Sequence, residues 1–257
     1  MSALEILVVI AVLVGVSIQA AIGFGFAFCV APAAFAAYPP EEAVTFVLIL
    51  AIAINSLVLF SERRTTEVAR RVSATVVVAA LPGMLIGVWV LERVGQQLLQ
   101  VLVGVVILTG AAVQIRAAAR ARREDSAPTA RSAPIEIGGG FTAGLLTTSV
   151  SVNGPVLVLA LSHLGLRGRR LRDSLAATLL GVSLIAAPIV LATIGLDHAL
   201  PGGVVLIACI PALLLGHRLG AAAFGRLDEI SHHRLALGAA ALAGALSIAA
   251  AVLAPGG

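Results

Sequence analysis

Residues 147–155, Thr-Thr-Ser-Val-Ser-Val-Asn-Gly-Pro, interrupt a long apolar run and decide how the chain can fold. The run extends from about residue 135 to residue 163, which exceeds the ~20 apolar residues that a helix needs to cross a bilayer. Its Asn-Gly-Pro sequence breaks helices. The run is therefore either one overlong helix or a broken helical hairpin. Non-helical backbone at membrane depth lies only where protein buries it or where it lines a watered cavity.

The composition is that of an integral membrane protein. Of the 257 residues, 60% are hydrophobic and 12% are charged, whereas soluble domains contain about 25% charged residues. The net charge of +4 rests entirely on 17 arginines, because the chain has no lysine. These arginines lie in short loops and aromatic residues make up only 4% of the chain, so no nucleic acid is expected as a partner. The expected surroundings are the lipid bilayer.

Eight apolar runs can be distinguished, and they cover approximately residues 3–37, 43–60, 72–91, 98–115, 135–163, 174–196, 202–217 and 235–254. The first run is overlong like the fifth, and it contains Gly23-Phe24-Gly25 followed by Pro32. Both runs could be broken hairpins.

The arginines favour the hairpin interpretation. Short-loop arginines stay on the cytoplasmic side of a membrane. If every run crosses once, the arginines divide almost equally between the two sides. If runs 3–37 and 135–163 each return to the face that they entered, every arginine except Arg93 lies on one side. Both termini then face outward.

The two halves of the chain repeat one pattern, in which a broken run precedes three ordinary spans. Residues 81–87 resemble residues 210–216, with Pro82 matched to Pro211, while Pro32 matches Pro155 less closely. We predict an all-α polytopic membrane protein with a first membrane repeat at 1–118, a cytoplasmic linker at 119–134 and a second repeat at 135–257. Each repeat is a broken or re-entrant hairpin plus three transmembrane helices. Because each half then crosses an odd number of times, the repeat is inverted.

The breaks predict a binding site near the midplane. A helix start carries unpaired N–H groups and about half a positive charge, so helices that begin after the breaks can hold an anion. Five hydrogen-bonding side chains precede the second break. The alternative is that these side chains bond to their own helix or mediate helix contacts. The predicted substrate-binding residues are Gln19, Gly23, Gly25, Asn55, Thr147, Thr148, Ser149, Ser151, Asn153, Gly154 and Pro155.

Other functions lack a sequence signature. No phosphate loop, zinc-protease motif or nucleophile elbow occurs, so no catalytic residue, cofactor or metal is expected. Ser183 and Pro188 are interpreted as a kink and its local repair, and Arg172 is counted with the loop arginines. Glycines such as Gly238 and Gly244 are compatible with packing within one chain or in a homo-oligomer.

With two such breaks and an Arg-rich loop after the second, the chain resembles the TauE/SafE family of sulfite-exporter-like membrane proteins. The resemblance rests on the glycine-containing breaks and on Asn153-Gly154-Pro155 followed by an Arg-rich loop and Leu171-Arg172-Asp173-Ser174-Leu175. The first repeat keeps only Gly23 and Gly25 of the usual glycine run. The resemblance implies transport of small sulfur-containing anions such as sulfite, sulfonates or sulfoacetate across the bacterial inner membrane.

The resulting hypothesis is a secondary transporter that exports a small anion by alternating access. An anion channel of the same fold is the first alternative. A membrane scaffold without transport is the second alternative, for which the short loops provide no support.

Overall fold

A computed structural model describes residues 1–60, 66–121, 133–195 and 203–224, together with Gly244. In these residues the chain forms nine α-helices and no strand: α1 (Ala3–Ile22), α2 (Phe26–Ala37), α3 (Pro40–Phe60), α4 (Arg70–Arg93), α5 (Gln96–Ala121), α6 (Ala133–Ser149), α7 (Gly154–His163), α8 (Gly168–Ile194) and α9 (Gly203–Phe224). Six of them, α1, α3, α4, α5, α8 and α9, are long and apolar enough to cross a membrane. The predicted all-α polytopic class is confirmed. Apart from Gly244, the predicted run 235–254 lies outside the described residues.

The helix starts follow from local sequence. Ser2 caps α1 reciprocally with Glu5, because the Ser2 hydroxyl accepts from the Glu5 N–H at 3.2 Å while the Glu5 carboxylate accepts from the Ser2 N–H at 2.6 Å. The α3 helix begins at Pro40, whose fixed φ suits a first turn. The α7 helix likewise carries Pro155 in its first turn. The second long run therefore stops at residues 150–153 and resumes as a new helix.

Both long runs fold back as broken hairpins. A Cβ on Gly15 of α1 would lie 3.3 Å from the Cβ of Cys29 in α2, and a Cβ on Gly139 of α6 would lie 2.8 Å from that of Ala160 in α7. The return helices α2 and α7 have 12 and 10 residues. At about 1.5 Å per residue they extend roughly 18 and 15 Å, well short of the ~30 Å hydrocarbon core. The return helices are therefore too short to cross the hydrocarbon core, so a hairpin that returns to its starting face would place its break at membrane depth.

Tyr38, at the end of α2, lies within electrostatic range of Glu5 at the start of α1. Tyr38 follows the last residue of α2 and is buried. Burial, and after it the negative charge of Glu5 at the start of α1, raise the pKa of Tyr38 to about 12. The run that begins at Ala3 therefore returns to its own starting face.

Each hairpin packs against a helix from the other half of the chain. The α6 helix lies along α4, and α1 lies along α9. Glycines permit this close approach, since in six places of the two helix pairs a Cβ on the glycine would come under 3.0 Å from a carbonyl oxygen: Gly83 with Phe141, Gly87 with Leu145, Gly140 with Val76, Gly144 with Ala80, Gly216 with Leu13, and Gly220 with Ser17. Small residues allow helix backbones to approach in this way where lipid supplies no hydrophobic drive.

These contacts relate the two halves in a register that differs from the sequence alignment. Gly83 occupies the place in the α4 and α6 pair that Gly216 occupies in the α9 and α1 pair. The predicted match of Pro82 with Pro211 is one helical turn away from this register. Pro32 and Pro155 also differ, because Pro32 lies inside α2 whereas Pro155 lies in the first turn of α7.

Arginines from both halves share one end of the bundle. The Glu67 N–H donates to the Asp173 carboxylate at 2.9 Å, so the starts of α4 and α8 lie together. The start of α6 joins them, because Ala133 and Glu136 line a 300 Å³ surface cavity with Arg71. We call this end, formed by residues 66–72, 133–136 and 167–174, the arginine face.

The opposite end of α4 carries Arg93, whose guanidinium carbon lies 5.3 Å from the centre of the Trp89 ring. The structure also settles one glycine contact. Gly244 packs against α5 of the same chain, since a Cβ there would lie 3.2 Å from the Gly104 carbonyl oxygen.

The close packing of α4 on α6 gives a stability prediction. A Cβ on Gly144 would overlap the carbonyl group of Ala80, whereas one on Gly138 of the same helix meets nothing within 4 Å. We expect Gly144→Val to destabilise the folded protein by about 2 kcal/mol or more, which is the size of an overpacking effect. The thermal unfolding midpoint in detergent measures it. The control is Gly138→Val, which changes helix propensity by the same amount because it is the same substitution in the same helix. Equal midpoints for the two variants would contradict the close packing of Gly144 on Ala80.

Candidate functional site

The two breaks meet at one cavity of about 30 Å³. Helices α3 and α8 complete its wall, and α3 and α8 also pack on each other. A water molecule needs about 10–15 Å³ of such space, so the cavity has room for about two waters. The wall is formed by Gln19, Phe26, Ala27, Val47, Leu48, Ala51, Asn55, Thr147, Ser151, Asn153, Leu179 and Ser183.

The first break is built from two glycines in the left-handed region, Gly23 with φ 92° and Gly25 with φ 113°. Here the start of α2 is tied to a neighbouring side chain. The Phe26 N–H donates to Gln19 Oε1 at 3.2 Å, and Gln19 Nε2 donates to Asn55 Oδ1 at 2.9 Å. Asn55 Nδ2 in turn donates to the Ala51 carbonyl oxygen at 2.7 Å. A continuous hydrogen-bonded chain therefore links α2, α1 and α3.

The second break is held by hydroxyls. Ser151 has φ 58°, the single positive φ of a non-glycine residue within the described ranges. Asn153 Nδ2 donates to Thr147 Oγ1 at 2.7 Å, and the Ser151 hydroxyl donates to the Thr147 carbonyl oxygen at 3.3 Å. Asn153 is the N-cap of α7, but its side chain does not cap the helix. Asn153 therefore provides no side-chain oxygen to the N–H groups in the first turn of α7.

Electrostatically, the cavity is a neutral pocket between two helix starts. Phe26 and Ala27 open α2, Asn153 precedes α7, and all three line the cavity. Each helix start carries about half a positive charge. The side chains that line the cavity are amides, hydroxyls and apolar groups. The arrangement can hold an anion by N–H and O–H donors without a full counter-charge.

Five of the predicted residues come together at this cavity, namely Gln19, Asn55, Thr147, Ser151 and Asn153. Thr148 and Ser149 do not contribute to its wall. The Thr148 hydroxyl donates to the Met84 carbonyl oxygen at 2.8 Å and so joins α6 to α4. The Ser149 hydroxyl donates to the Leu145 carbonyl oxygen of its own helix at 2.7 Å.

The predicted glycines and the proline shape the breaks and are not part of the cavity wall. Gly23 packs on Arg172, where a Cβ would lie 2.9 Å from Arg172 Cγ. Pro155 packs on Gly110 of α5, where a Cβ would lie 2.6 Å from the ring. Gly25 approaches Ile18, and Gly154 approaches Phe24.

Ser183 is a cavity residue that sequence reasoning assigned elsewhere. The sequence predicts that Ser183 repairs a kink at Pro188, but its hydroxyl makes no hydrogen bond to its own helix or to any other described residue. Instead Ser183 is 2% exposed and lines the cavity. A signal was available in the sequence, because Ser183 follows Thr147 by the same 36 residues that separate Gln19 from Asn55.

Arg172 is the second residue whose surroundings sequence reasoning missed. It is only 4% exposed, whereas Arg169 and Arg170 are exposed. Its Nη2 donates to the Ala20 carbonyl oxygen at 2.7 Å, so it neutralises the negative end of α1 directly beside the first break. Its neighbour Asp173 is also buried. A charged pair within the first turns of an apolar helix is the sequence feature from which burial could have been predicted.

The family model described as sulfite exporter TauE/SafE matches residues 7–248. Neither the curated proteins nor the solved structures gave a match. Among the described residues, no group of three or more His, Cys, Asp or Glu side chains is placed to hold a metal ion.

The buried guanidinium gives a second prediction. We expect Arg172→Ala to lower the free energy of unfolding by about 1.5–3 kcal/mol, because it removes a charge-assisted hydrogen bond at the end of α1. Arg169→Ala, an exposed arginine one turn earlier on the same helix, is the control and should change stability by less than about 0.5 kcal/mol. Thermal unfolding of both purified variants measures the difference. A loss of equal size in both would show that Arg172 does not anchor α1.

Proposed function

The chain belongs to the TauE/SafE sulfite exporter family, and we propose that it exports a small sulfur-containing anion such as sulfite, a sulfonate or sulfoacetate across the bacterial inner membrane. The family is one of transporters. Six helices suitable for spanning a membrane agree with that role. The proposed substrate site is the cavity at which the two helix breaks meet.

One observation carries this proposal, namely the meeting of two helix starts and several polar side chains at a single cavity within the membrane. Gln19 and Asn55 contribute amides from the first half, while Thr147, Ser151 and Asn153 contribute donors from the second. A sulfite ion presents oxygen acceptors with a negative charge. N–H and O–H donors and two positive helix ends match that chemistry.

The cavity also suggests which step of transport the structure represents. About 30 Å³ holds roughly two waters but not an organic sulfonate. The conformation is therefore closed around the site. On the arginine face, opening would require loss of the Arg172 bond to Ala20 and of the bonds from the Glu67 and Ala69 N–H groups to Asp173 and Ser174.

Alternating access is the proposed mechanism, and an inverted repeat is its structural basis. The matching packing of α6 on α4 and of α1 on α9 supports such a repeat. A second support is that Gly23 and Ser151 both have positive φ. Each lies two residues before the N-cap of the return helix, which is Gly25 for α2 and Asn153 for α7. Two halves of similar structure and opposite insertion can exchange conformations of similar energy.

Electrical driving force favours export. Moving one negative charge out of a cytoplasm at negative potential yields roughly 2.3 kcal/mol per 100 mV. Export of a monovalent anion therefore requires no coupling ion, whereas uptake against the same potential does.

Transport by reconstituted protein tests the proposal. We expect proteoliposomes to carry radiolabelled sulfite, with flux that saturates. The double variant Asn153→Ala with Thr147→Val should lower kcat/KM at least about tenfold, because it removes two polar groups of the cavity wall at the second break. The control is Thr109→Val with Thr193→Val, two exposed hydroxyls that bond only their own helices. Unchanged flux in the cavity variant would exclude this site, and unsaturable flux at channel rates would exclude a carrier.

Cysteine labelling tests the insertion. With Cys29 and Cys209 replaced by alanine, we expect a membrane-impermeant maleimide to label Glu92→Cys in intact bacteria, and Arg169→Cys only after permeabilisation. Both positions are exposed. The reason is that the arginine face should be cytoplasmic under the positive-inside rule. Labelling of Arg169→Cys in intact cells would overturn this insertion.

A further inference from the structure

We propose that Ser183 is a substrate-contacting residue that determines how tightly the site holds an oxyanion. The proposal rests on the proposed function, because it assigns a further residue to the same cavity. Its basis is the position of Ser183, a residue that is 2% exposed and lines the cavity, and whose hydroxyl makes no hydrogen bond among the described residues.

The other polar side chains of the wall already have partners. Gln19 bonds to Asn55, Asn55 bonds to Ala51, and Asn153 bonds to Thr147. The Thr147 and Ser151 hydroxyls donate to backbone carbonyls. Gln19, Asn55 and Asn153 each keep a second amide N–H, whereas Ser183 is the polar wall side chain that makes no hydrogen bond among the described residues.

Serines in apolar helices ordinarily bond the carbonyl oxygen one turn earlier. Several hydroxyls of this protein do so, including Ser17 with Leu13 at 2.8 Å and Thr178 with Ser174 at 2.7 Å. The Ser183 hydroxyl instead makes no hydrogen bond to a carbonyl oxygen of its own helix. A buried polar group without a partner is unfavourable. A hydroxyl that faces the cavity takes its partner from the contents of the cavity, which would be water in one state of the transport cycle and the substrate in another.

The relation between the halves explains why this position is open. Ser183 and Thr147 occupy the positions in the second half that Asn55 and Gln19 occupy in the first. The members of each pair are 36 positions apart in the sequence. In the first half two long amides reach one another and form a hydrogen bond. In the second half both side chains are short hydroxyl residues, and Ser183 is left facing the cavity. A substrate oxygen beside Ser183 would therefore occupy, in the second half, the space that the hydrogen-bonded amides of Gln19 and Asn55 fill in the first half.

The N-terminus of α7 faces the same space, because its N-cap Asn153 lines the cavity and does not cap the helix. An anion between Ser183 and this helix start would receive an O–H donor from one side and backbone N–H donors from the other. The chemical class that fits is a small oxyanion with acceptor oxygens on opposite sides, and sulfite is the probe that we would use.

The experiment measures sulfite flux and protein stability in parallel. We expect Ser183→Ala to raise the half-saturation concentration about ten- to hundredfold, since it removes a hydrogen bond to a charged ligand. Its thermal midpoint without anion should equal or exceed that of the wild type, because no existing bond is lost. The control, Ser17→Ala, loses a bond to its own helix and should leave half-saturation unchanged.

A second variant tests the space opposite Ser183. Ser183→Asn should reproduce the amide of the first half, fill the cavity and abolish flux while the protein remains folded. Wild-type flux in Ser183→Asn, or an unchanged half-saturation in Ser183→Ala, would overturn the role of Ser183 and leave the proposed function intact. Wild-type protein that carries neither sulfite nor a sulfonate would overturn both.

Discussion

The constraint on which the rest of the structure depends is the need to satisfy backbone polar groups at the two breaks. An unpaired N–H or C=O group in hydrocarbon costs several kcal/mol. At the first break Gln19 accepts from the Phe26 N–H, and Arg172 donates to the Ala20 carbonyl. At the second break Thr147 binds both Asn153 and Ser151. The side chains that make these bonds come from the breaks and from the helices around them. The surrounding helices therefore both supply partners for the breaks and exclude lipid from them.

That requirement explains why each hairpin packs against the opposite half. Lipid tails are as apolar as leucine, so helices in a membrane associate through close packing. Gly87 brings α4 onto the backbone of α6, and Gly220 brings α9 onto that of α1. Each hairpin is thus fixed to a helix from the other half. Movements that open the cavity are expected to preserve these two close pairs and to change their positions relative to α3 and α8.

Much of this architecture could be predicted from the sequence, because it depends on quantities that residues carry with them. Hydropathy gave the helices, and the distribution of arginines indicated that the long runs return. The faces of those helices could not be predicted in the same way. Thr147 and Thr148 are neighbours, yet one faces the cavity and the other bonds to Met84. Which face meets which partner depends on tertiary packing, and so do the burial of Arg172 and the direction of Ser183.

A neutral wall has a consequence for a protein that must release what it binds. An arginine in the cavity would hold an anion strongly, and after release it would remain as a buried charge without a counterion, which is highly unfavourable. Arg172 lies beside the first break, but one of its N–H groups is directed to the α1 carbonyl end. The cavity itself offers two helix starts, amides and hydroxyls. Such partial charges attract an anion. Leaving them without a partner costs little enough free energy for the empty transporter to change back to its starting conformation.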